Sequence, residues 1–477
     1  MELRTLSARA ASLLASAAVV GLAACSNGTQ SSAIPQTSIP QSQNAAQPAS
    51  LSKSKIVYTS RFLPSAHRKG VRDSSNVIYK ANPPMSKAAV SPGAFPPPSS
   101  CVAQFGLACY TPALIRTGYD VPSTLNGSGQ TIVIVDAYGS PTVQSDLHTF
   151  DAAMGLPDPT LNVYYPTGKP PAFAPHNGTQ AGWANETNLD TQWAHAIAPG
   201  AKIALVIASS NYGNVLNAAV RFAIDNHLGN VISLSWGSPE AAIAGLGNNT
   251  QVLQADKNFQ AAEEAGITVL ASSGDGGATN SGTTANASFP ASDPLVTAVG
   301  GTNLFLSDTG AYESETVWND SDDCPFGCHD GVFGATGGAP SKIFAAPAYQ
   351  EALSGRSART TSDVAYNASV YTGVLVYLGF LGNNSGFYFF GGTSEGAPQW
   401  AGLVALADQS AGHGLGLISP ALYAIGANAS KYAADFHDVT VGDNVWNGAG
   451  FSAKTGYDLP TGLGTPKATN LINDLAH

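Results

Sequence analysis

From Tyr110 onward, short apolar runs alternate with segments whose apolar positions recur at helical spacing. Thr131–Val135, Lys202–Ile207, Asn230–Leu234, Ile267–Ala271 and Val296–Val299 predict buried β-strands. Between them, Val215–Asn226 and Val252–Ala265 predict helices, each ending near a glycine that can terminate it. Buried strands alternating with helices imply an α/β fold: a doubly wound, mostly parallel sheet with helices on both faces. No internal repeat is visible.

The chain before Tyr110 has a different texture. Met1 to Cys25 carries Arg4 and Arg9 ahead of the apolar run Ala10–Ala24, too short to span a membrane comfortably, and reads as an export signal. Its last residues, Leu22-Ala23-Ala24-Cys25, resemble a bacterial lipobox, so an exported, cell-envelope lipoprotein anchored at Cys25 is expected. Residues 26–50 are rich in Ser, Gln, Ala and Pro and nearly uncharged, a composition that buries too little apolar surface to order itself and predicts a linker. Residues 51–105 mix short apolar stretches with proline and predict an arm or leader; residues 106–477 form the main domain.

Composition narrows the partners. The 21 basic and 32 acidic residues give a net charge of −11, and charged residues make up 11% of the chain, against about 25% in ordinary globular proteins. Apart from a short stretch near Arg68 to Arg72 the basic residues are scattered, so no nucleic-acid footprint exists. A low carboxylate content also leaves few groups whose protonation unfolds a protein in acid, which suits an acidic working environment. Low surface charge in a secreted protein accounts for the same composition. A monomer is expected. Beyond Cys25 four cysteines remain, and short loops favour Cys101 with Cys109 and Cys324 with Cys328.

Three segments carry candidate chemistry. Gly391-Gly392-Thr393-Ser394-Glu395-Gly396-Ala397-Pro398 leads into a helical stretch, Gln399–Gln409, with Pro398 expected in its first turn. The glycines allow close backbone approach, and a serine there faces the positive end of the helix dipole. Serine as a plain N-cap is the simpler alternative. Gly392 to Gly396 also fits the G-x-S-x-G elbow of esterases, which would need Asp408 with His413 or His437.

The second segment places Glu186 and Asp190 four positions apart, on one face of a helix. Two carboxylates so close raise one pKa when they share a partly buried proton, whereas an exposed pair would be ordinary surface. The third, Ile267 to Gly277, is a strand running into a glycine turn that holds Asp275, a position where an aspartate commonly bonds local amides.

Together these segments resemble the sedolisin family, the serine-carboxyl peptidases of subtilisin-like fold. The resemblance extends from about Tyr110 to the C-terminus. It rests also on Ile134-Val135-Asp136-Ala137-Tyr138-Gly139, Trp193-Ala194-His195-Ala196-Ile197-Ala198-Pro199, Ile232-Ser233-Leu234-Ser235-Trp236-Gly237 and Phe289-Pro290-Ala291 through Val299-Gly300-Gly301-Thr302.

The resemblance implies an acid-active endopeptidase with Ser394 as nucleophile, Glu186 as general base, Asp190 orienting the glutamate and Asp275 donating to the oxyanion. A carboxylate base, with an ordinary pKa near ~4.3, works in acid where histidine would be protonated. His195 lies off the carboxylate face and reads as a packed helix residue. A subtilisin-type triad on Asp136 is disfavoured, since no His-Gly-Thr-His segment follows it.

The resemblance further implies one structural Ca²⁺, held by the Asp438 and Asp458 side chains and the carbonyls of Val439, Lys454 and Gly456. Aspartates in loops with free carbonyls suit such a hard ion; Lys454 stands where the family often has glycine, and Asx-turns without an ion are the alternative. Family members usually carry a long folded propeptide, for which residues 25–100 are too short. Protein or peptide substrates are expected, with a catalytically silent peptide-binding lipoprotein as the alternative function.

Overall fold

A computed structural model describes residues 55–58, 71–86, 95–244, 250–321, 325–326 and 334–477. The export signal, the lipobox cysteine, the linker, and Cys324 and Cys328 lie outside the described residues.

The main sheet has nine strands. From Leu161–Tyr165 it runs through Lys202–Ala208, Thr131–Ala137, Val231–Leu234, Thr268–Ser272 and Thr297–Leu306, all joined in parallel. Tyr312–Val317 closes one edge antiparallel, and Val364–Asn367 adds in parallel to Thr297–Leu306. All five strand expectations therefore hold, with bounds shifted by a residue or two except at Thr297–Leu306, which is longer.

Alternation within each strand sorts side chains between two cores. Ile132, Ile134, Ile203 and Leu205 point to one face, and Val133, Val135, Ala204 and Val206 to the other. The first face is covered by helices Gly178–Ile197 and Thr393–Ala411, through Leu189, Trp193, Trp400 and Leu403. The second is covered by Gly213–Asp225 and Thr250–Glu264, through Val220 and Phe259. Burial on both faces is why the strands read as continuous apolar runs.

A separate three-stranded antiparallel sheet joins Val374–Leu378, Gly386–Gly391 and Ile78–Ser86. Cys101 and Cys109 form the expected disulfide, with Cα atoms 5.9 Å apart.

Candidate active site

The site lies at the carboxyl ends of the central strands, where open parallel sheets place their clefts. Three strand ends supply it: Asp136 on Thr131–Ala137, Ser235 just beyond Val231–Leu234, and Asp275 in the turn after Thr268–Ser272.

Helix Gly178–Ile197 begins at Asn177, whose side chain accepts the amide hydrogens of Thr179 and Gln180. Every residue from Trp183 to Ile197 is buried. Gln192 imitates a strand: its amide donates to the Tyr377 carbonyl at 2.9 Å and accepts the Tyr377 N–H at 2.8 Å. With Trp193 Nε1 donating to the Leu375 carbonyl at 3.0 Å, this pins the helix in rotation and forces Glu186 and Asp190 inward.

The helix that carries Ser394 is Thr393–Ala411, longer than expected. It starts at Thr393, so Pro398 falls in the second turn and not the first. A proline there has no N–H for the carbonyl four residues back, which belongs to Ser394. That freed carbonyl faces the Ser235 hydroxyl at 3.5 Å, and the same hydroxyl donates to Asp190 Oδ1 at 2.9 Å. The unpaired carbonyl thus ties the Ser394 backbone to the acidic pair through Ser235. The preceding Gly392 has φ of 98°, and a β-carbon there would lie 2.6 Å from Asp275 Oδ2 and 2.3 Å from the Asn76 carbonyl oxygen.

Ser394 Oγ donates to the Ser235 carbonyl at 3.1 Å. Glu186 is fully buried and its carboxyl oxygens have no partner within hydrogen-bond distance. The Ser394 hydroxyl is the neighbour that favours its ionised form. Burial, reinforced by the negative charges of Asp190 and Asp136, pushes the Glu186 carboxyl well above its usual range. Asp190 is raised for the same reasons, burial first and Asp136 next, with Ser235 and Glu186 opposing. The structure therefore brings Ser394, Glu186 and Asp190 together in one buried cluster.

Asp275 belongs to the same cleft. Its Oδ1 accepts both the Thr393 N–H, at 2.8 Å, and the Thr393 hydroxyl, at 2.7 Å, while Oδ2 is buried and free. Burial lifts its carboxyl to about 7, against the pull of the two Thr393 donors. A protonated Oδ2 here is a donor aimed beside Ser394.

Asp136 is the group that sequence reasoning passed over. It completes no serine–histidine triad, yet it is buried, neither oxygen has a partner within hydrogen-bond distance, and burial raises it to about 7. Its charge acts on both Glu186 and Asp190. The signal was an acid ending an otherwise apolar strand.

The histidines are elsewhere. His195 is buried, with Nε2 at 2.7 Å from the Pro157 carbonyl and Asp151 Oδ1 at 3.5 Å, and burial lowers it to about 4. It is the packed helix residue expected. The esterase assembly fails: Asp408 Oδ1 accepts the Leu415 N–H, His413 Nδ1 pairs with the Gly414 carbonyl, and His437 stacks on Tyr312 at 3.8 Å. The contacts of both histidines are thus with groups other than Ser394.

At the C-terminal loops, Asp438 accepts the Gly456 N–H (3.2 and 3.0 Å) and the Tyr432 hydroxyl (2.9 Å). Asp458 accepts Lys454 N–H at 3.1 Å and the Thr461 N–H and hydroxyl at 2.9 Å each. Residues 454 and 456 thus meet these carboxylates through their amide hydrogens. The carboxylates do converge: burial, with Asp438 contributing, raises Asp458 to about 6. Among the described residues no group of three or more His, Cys, Asp or Glu forms a metal cluster. Two converging hard carboxylates are chemically suited to a hard cation.

Comparison with known proteins agrees with this architecture. A subtilase-family model matches residues 158–423, more than half of the chain. Kumamolisin from Bacillus sp. (strain MN-32) is 35% identical over 382 residues, covering 77% of this chain and 63% of that protein. Sedolisin from Pseudomonas sp. (strain 101) is 32% identical over 371 residues, covering 75% and 59%. The chain thus spans about three fifths of the length of these relatives. The solved structure of Pseudomonas sedolisin, a serine-carboxyl proteinase complexed with two molecules of pseudo-iodotyrostatin, superposes with a TM-score of 0.66 at 29% identity, over 77% of this chain and 98% of that one.

Proposed function

The chain belongs to the subtilase family, in its sedolisin branch, and from that premise we propose that it is an acid-active serine-carboxyl endopeptidase. The observation that carries the reading is the burial of Ser394 beside Glu186 and Asp190, with carboxyl groups and no histidine among the described residues that act on Glu186.

Rotation of the Ser394 side chain away from the Ser235 carbonyl turns its hydroxyl to Glu186. Glu186 takes the proton as Oγ attacks a peptide carbonyl, then returns it to the leaving amine. Asp190, fixed by Ser235, orients the glutamate and shares its proton, so the pair titrates as a unit with Asp136 adjoining. Asp275, protonated, donates from Oδ2 to the developing oxyanion. Because that donor exists only while the acid keeps its proton, the activity belongs to acid.

One structural Ca²⁺ is part of the same proposal. Asp438 and Asp458, with the carbonyls of Val439, Lys454 and Gly456, would hold it, and it would neutralise two converging carboxylates and tie the loops together. Anchoring by a lipid on Cys25 is proposed from the sequence of the export segment alone.

Hydrolysis of casein across a pH series tests the reading. Turnover is expected on the acid side of neutrality, falling as Asp275 loses its proton on passing about pH 7, and Ser394→Ala abolishes it. Equal turnover by that variant, or activity confined to neutral pH, removes the mechanism. A silent peptide-binding protein would show no turnover at any pH.

A further inference from the structure

Glu395 follows Ser394 directly, in the first turn of helix Thr393–Ala411, and is fully buried. In the proposed reaction the protons are held by Glu186, Asp190 and Asp275, and Glu395 takes no part. A second buried acid next to the reacting hydroxyl still has to be accommodated, because a buried charge without a counter-charge is strongly unfavourable.

Its hydrogen bonds are incomplete in a specific way. Oε1 accepts Asn367 Nδ2 at 2.9 Å, whereas Oε2 is buried with no partner. One turn along the same helix face, Gln399 Nε2 donates to the Glu395 main-chain carbonyl at 3.0 Å, and Oε1 of that amide is also unpartnered. Two bare oxygens cannot bond to each other. Turning the Gln399 amide over would offer a donor to Oε2 but would set an amide oxygen against the main-chain carbonyl. A proton on Oε2 satisfies both ends at once.

Asn367 carries the carboxyl's influence toward Ser394. Its Nδ2 also donates to the Thr372 carbonyl at 2.7 Å, and its Oδ1 accepts the Leu304 N–H at 3.0 Å and the Thr372 hydroxyl at 2.9 Å. The carbonyl of the next residue, Ala368, accepts the Gly392 N–H at 2.6 Å, in the turn that presents the serine. Glu395 thus joins the start of its helix to the 367–372 turn.

The ionisable neighbours offer no counter-charge. Tyr366, on Val364–Asn367, is buried with an unpartnered hydroxyl, and a charge on Glu395 would act on it and on Tyr110. Glu315, on Tyr312–Val317, is a further buried acid, bonded by Tyr119 and Thr302. Arg116 acts on Tyr366, and its guanidinium donates to the Ile197 and Pro122 carbonyls. From helix Gly178–Ile197, Glu186 and Asp190 face Ser394 and Ser235. Burial pushes the Glu395 carboxyl well above its usual range, with only the neutral amides of Asn367 and Gln399 opposing.

We propose that Glu395 is a positioning residue that works as a neutral acid: Oε2–H donates to Gln399 Oε1 while Oε1 holds Asn367. The inference rests on the peptidase reading and adds a second proton, besides that of Asp275, which the active form keeps. A helix N-terminus presents partial positive charge, and a carboxylate in the first turn takes up that charge for itself. A neutral Glu395 leaves it to the oxyanion that develops beside Ser394 and Asp275. The residue therefore fixes the turn without setting a negative charge next to the reacting carbonyl.

Two measurements test this. Infrared difference spectra compare Ser394→Ala with Ser394→Ala/Glu395→Gln at pH 7, the shared substitution preventing self-digestion. The carbonyl stretch of a protonated carboxyl is expected in the first chain and not in the second. Kinetics on a casein-derived peptide in acid compare two single variants. Glu395→Ala, which loses both bonds, should lower kcat at least about tenfold with little change in KM. Glu395→Gln, which puts an amide N–H where Oε2–H stood and keeps Oε1, should restore kcat to within about threefold of wild type. A carboxylate band in place of the protonated one overturns the inference, as does a Gln variant as impaired as the Ala variant or unable to fold, since it copies the neutral acid in shape. Those results leave the peptidase reading standing. No casein digestion by the wild-type chain at any pH refutes that reading and the positioning role with it, while the infrared comparison still reads the proton.

Discussion

Asp275 gives the sharpest test of the acid mechanism, because two substitutions separate its proton from its shape. Burial holds its carboxyl at about 7 against an ordinary 3.8, an ionisation penalty on the order of 4 kcal/mol at about 1.4 kcal/mol per unit. The folded protein therefore keeps the Oδ2 proton throughout acid and loses it as pH rises through about 7. Asp275→Ala removes the donor and should cost roughly 3 to 4 kcal/mol of transition-state stabilisation, about 10²- to 10³-fold in kcat. Asp275→Asn keeps an oxygen for the two Thr393 donors and puts an amide N–H where Oδ2 stood. It should regain most of that loss, to within about tenfold of wild type, and its donor no longer depends on pH. The same variant should gain stability at pH 7 relative to pH 4, since the ionisation penalty disappears. The assays are kcat/KM for a casein-derived peptide from pH 3 to 8 and denaturant melts at both pH values. An Ala variant within roughly threefold of wild type, or an Asn variant whose alkaline limb coincides with wild type, refutes the donor role.

The whole protein should be most stable in acid. Asp73, Asp136, Asp275, Asp293 and Asp320 are each raised by burial to about 7, so the folded state holds more protons than the unfolded one between about pH 4 and 7, and stability falls as pH rises through that window. His195 and His437, lowered to about 4, act in the opposite sense but are fewer; a melting temperature that climbs from pH 4 to pH 7 contradicts the balance. Excess chelator at neutral pH should lower the melting point, because an ion bound only by the folded form adds to stability; an unchanged melting point removes the calcium assignment. Gly392→Ala forces a β-carbon against the Asn76 carbonyl and Asp275 at φ of 98°, and should cost on the order of 1 to 3 kcal/mol in denaturant titration together with most peptidase activity. A Gly392→Ala protein with wild-type stability and turnover would show that this close approach is not needed.

How much was legible in the sequence depended on the range of the interaction. Strand and helix identity came from apolar spacing, since the central strands of this sheet are buried on both faces and each helix signals its own packing stripe. The carboxylate pair was legible for the same reason: positions 186 and 190 share a helix face whatever surrounds them. Ser394 was legible from the glycines around it, because only a residue without a side chain permits the approach made at Gly392. None of these required knowing what lay opposite.

What only the tertiary structure decided is what lies opposite. Asp136 gains meaning from standing within reach of Glu186 and Asp190, and nothing in its own strand says so. The helix that carries Ser394 starts at Thr393, and the carbonyl that Pro398 leaves unpaired finds Ser235, 159 residues away in sequence. The path of residues 71–79 through the cleft is set by edges of strands and a helix N-terminus that form only after the sheet has assembled. Local preference is written residue by residue, whereas desolvation and hydrogen-bond partnership are properties of a place, and a place exists only once distant segments have met.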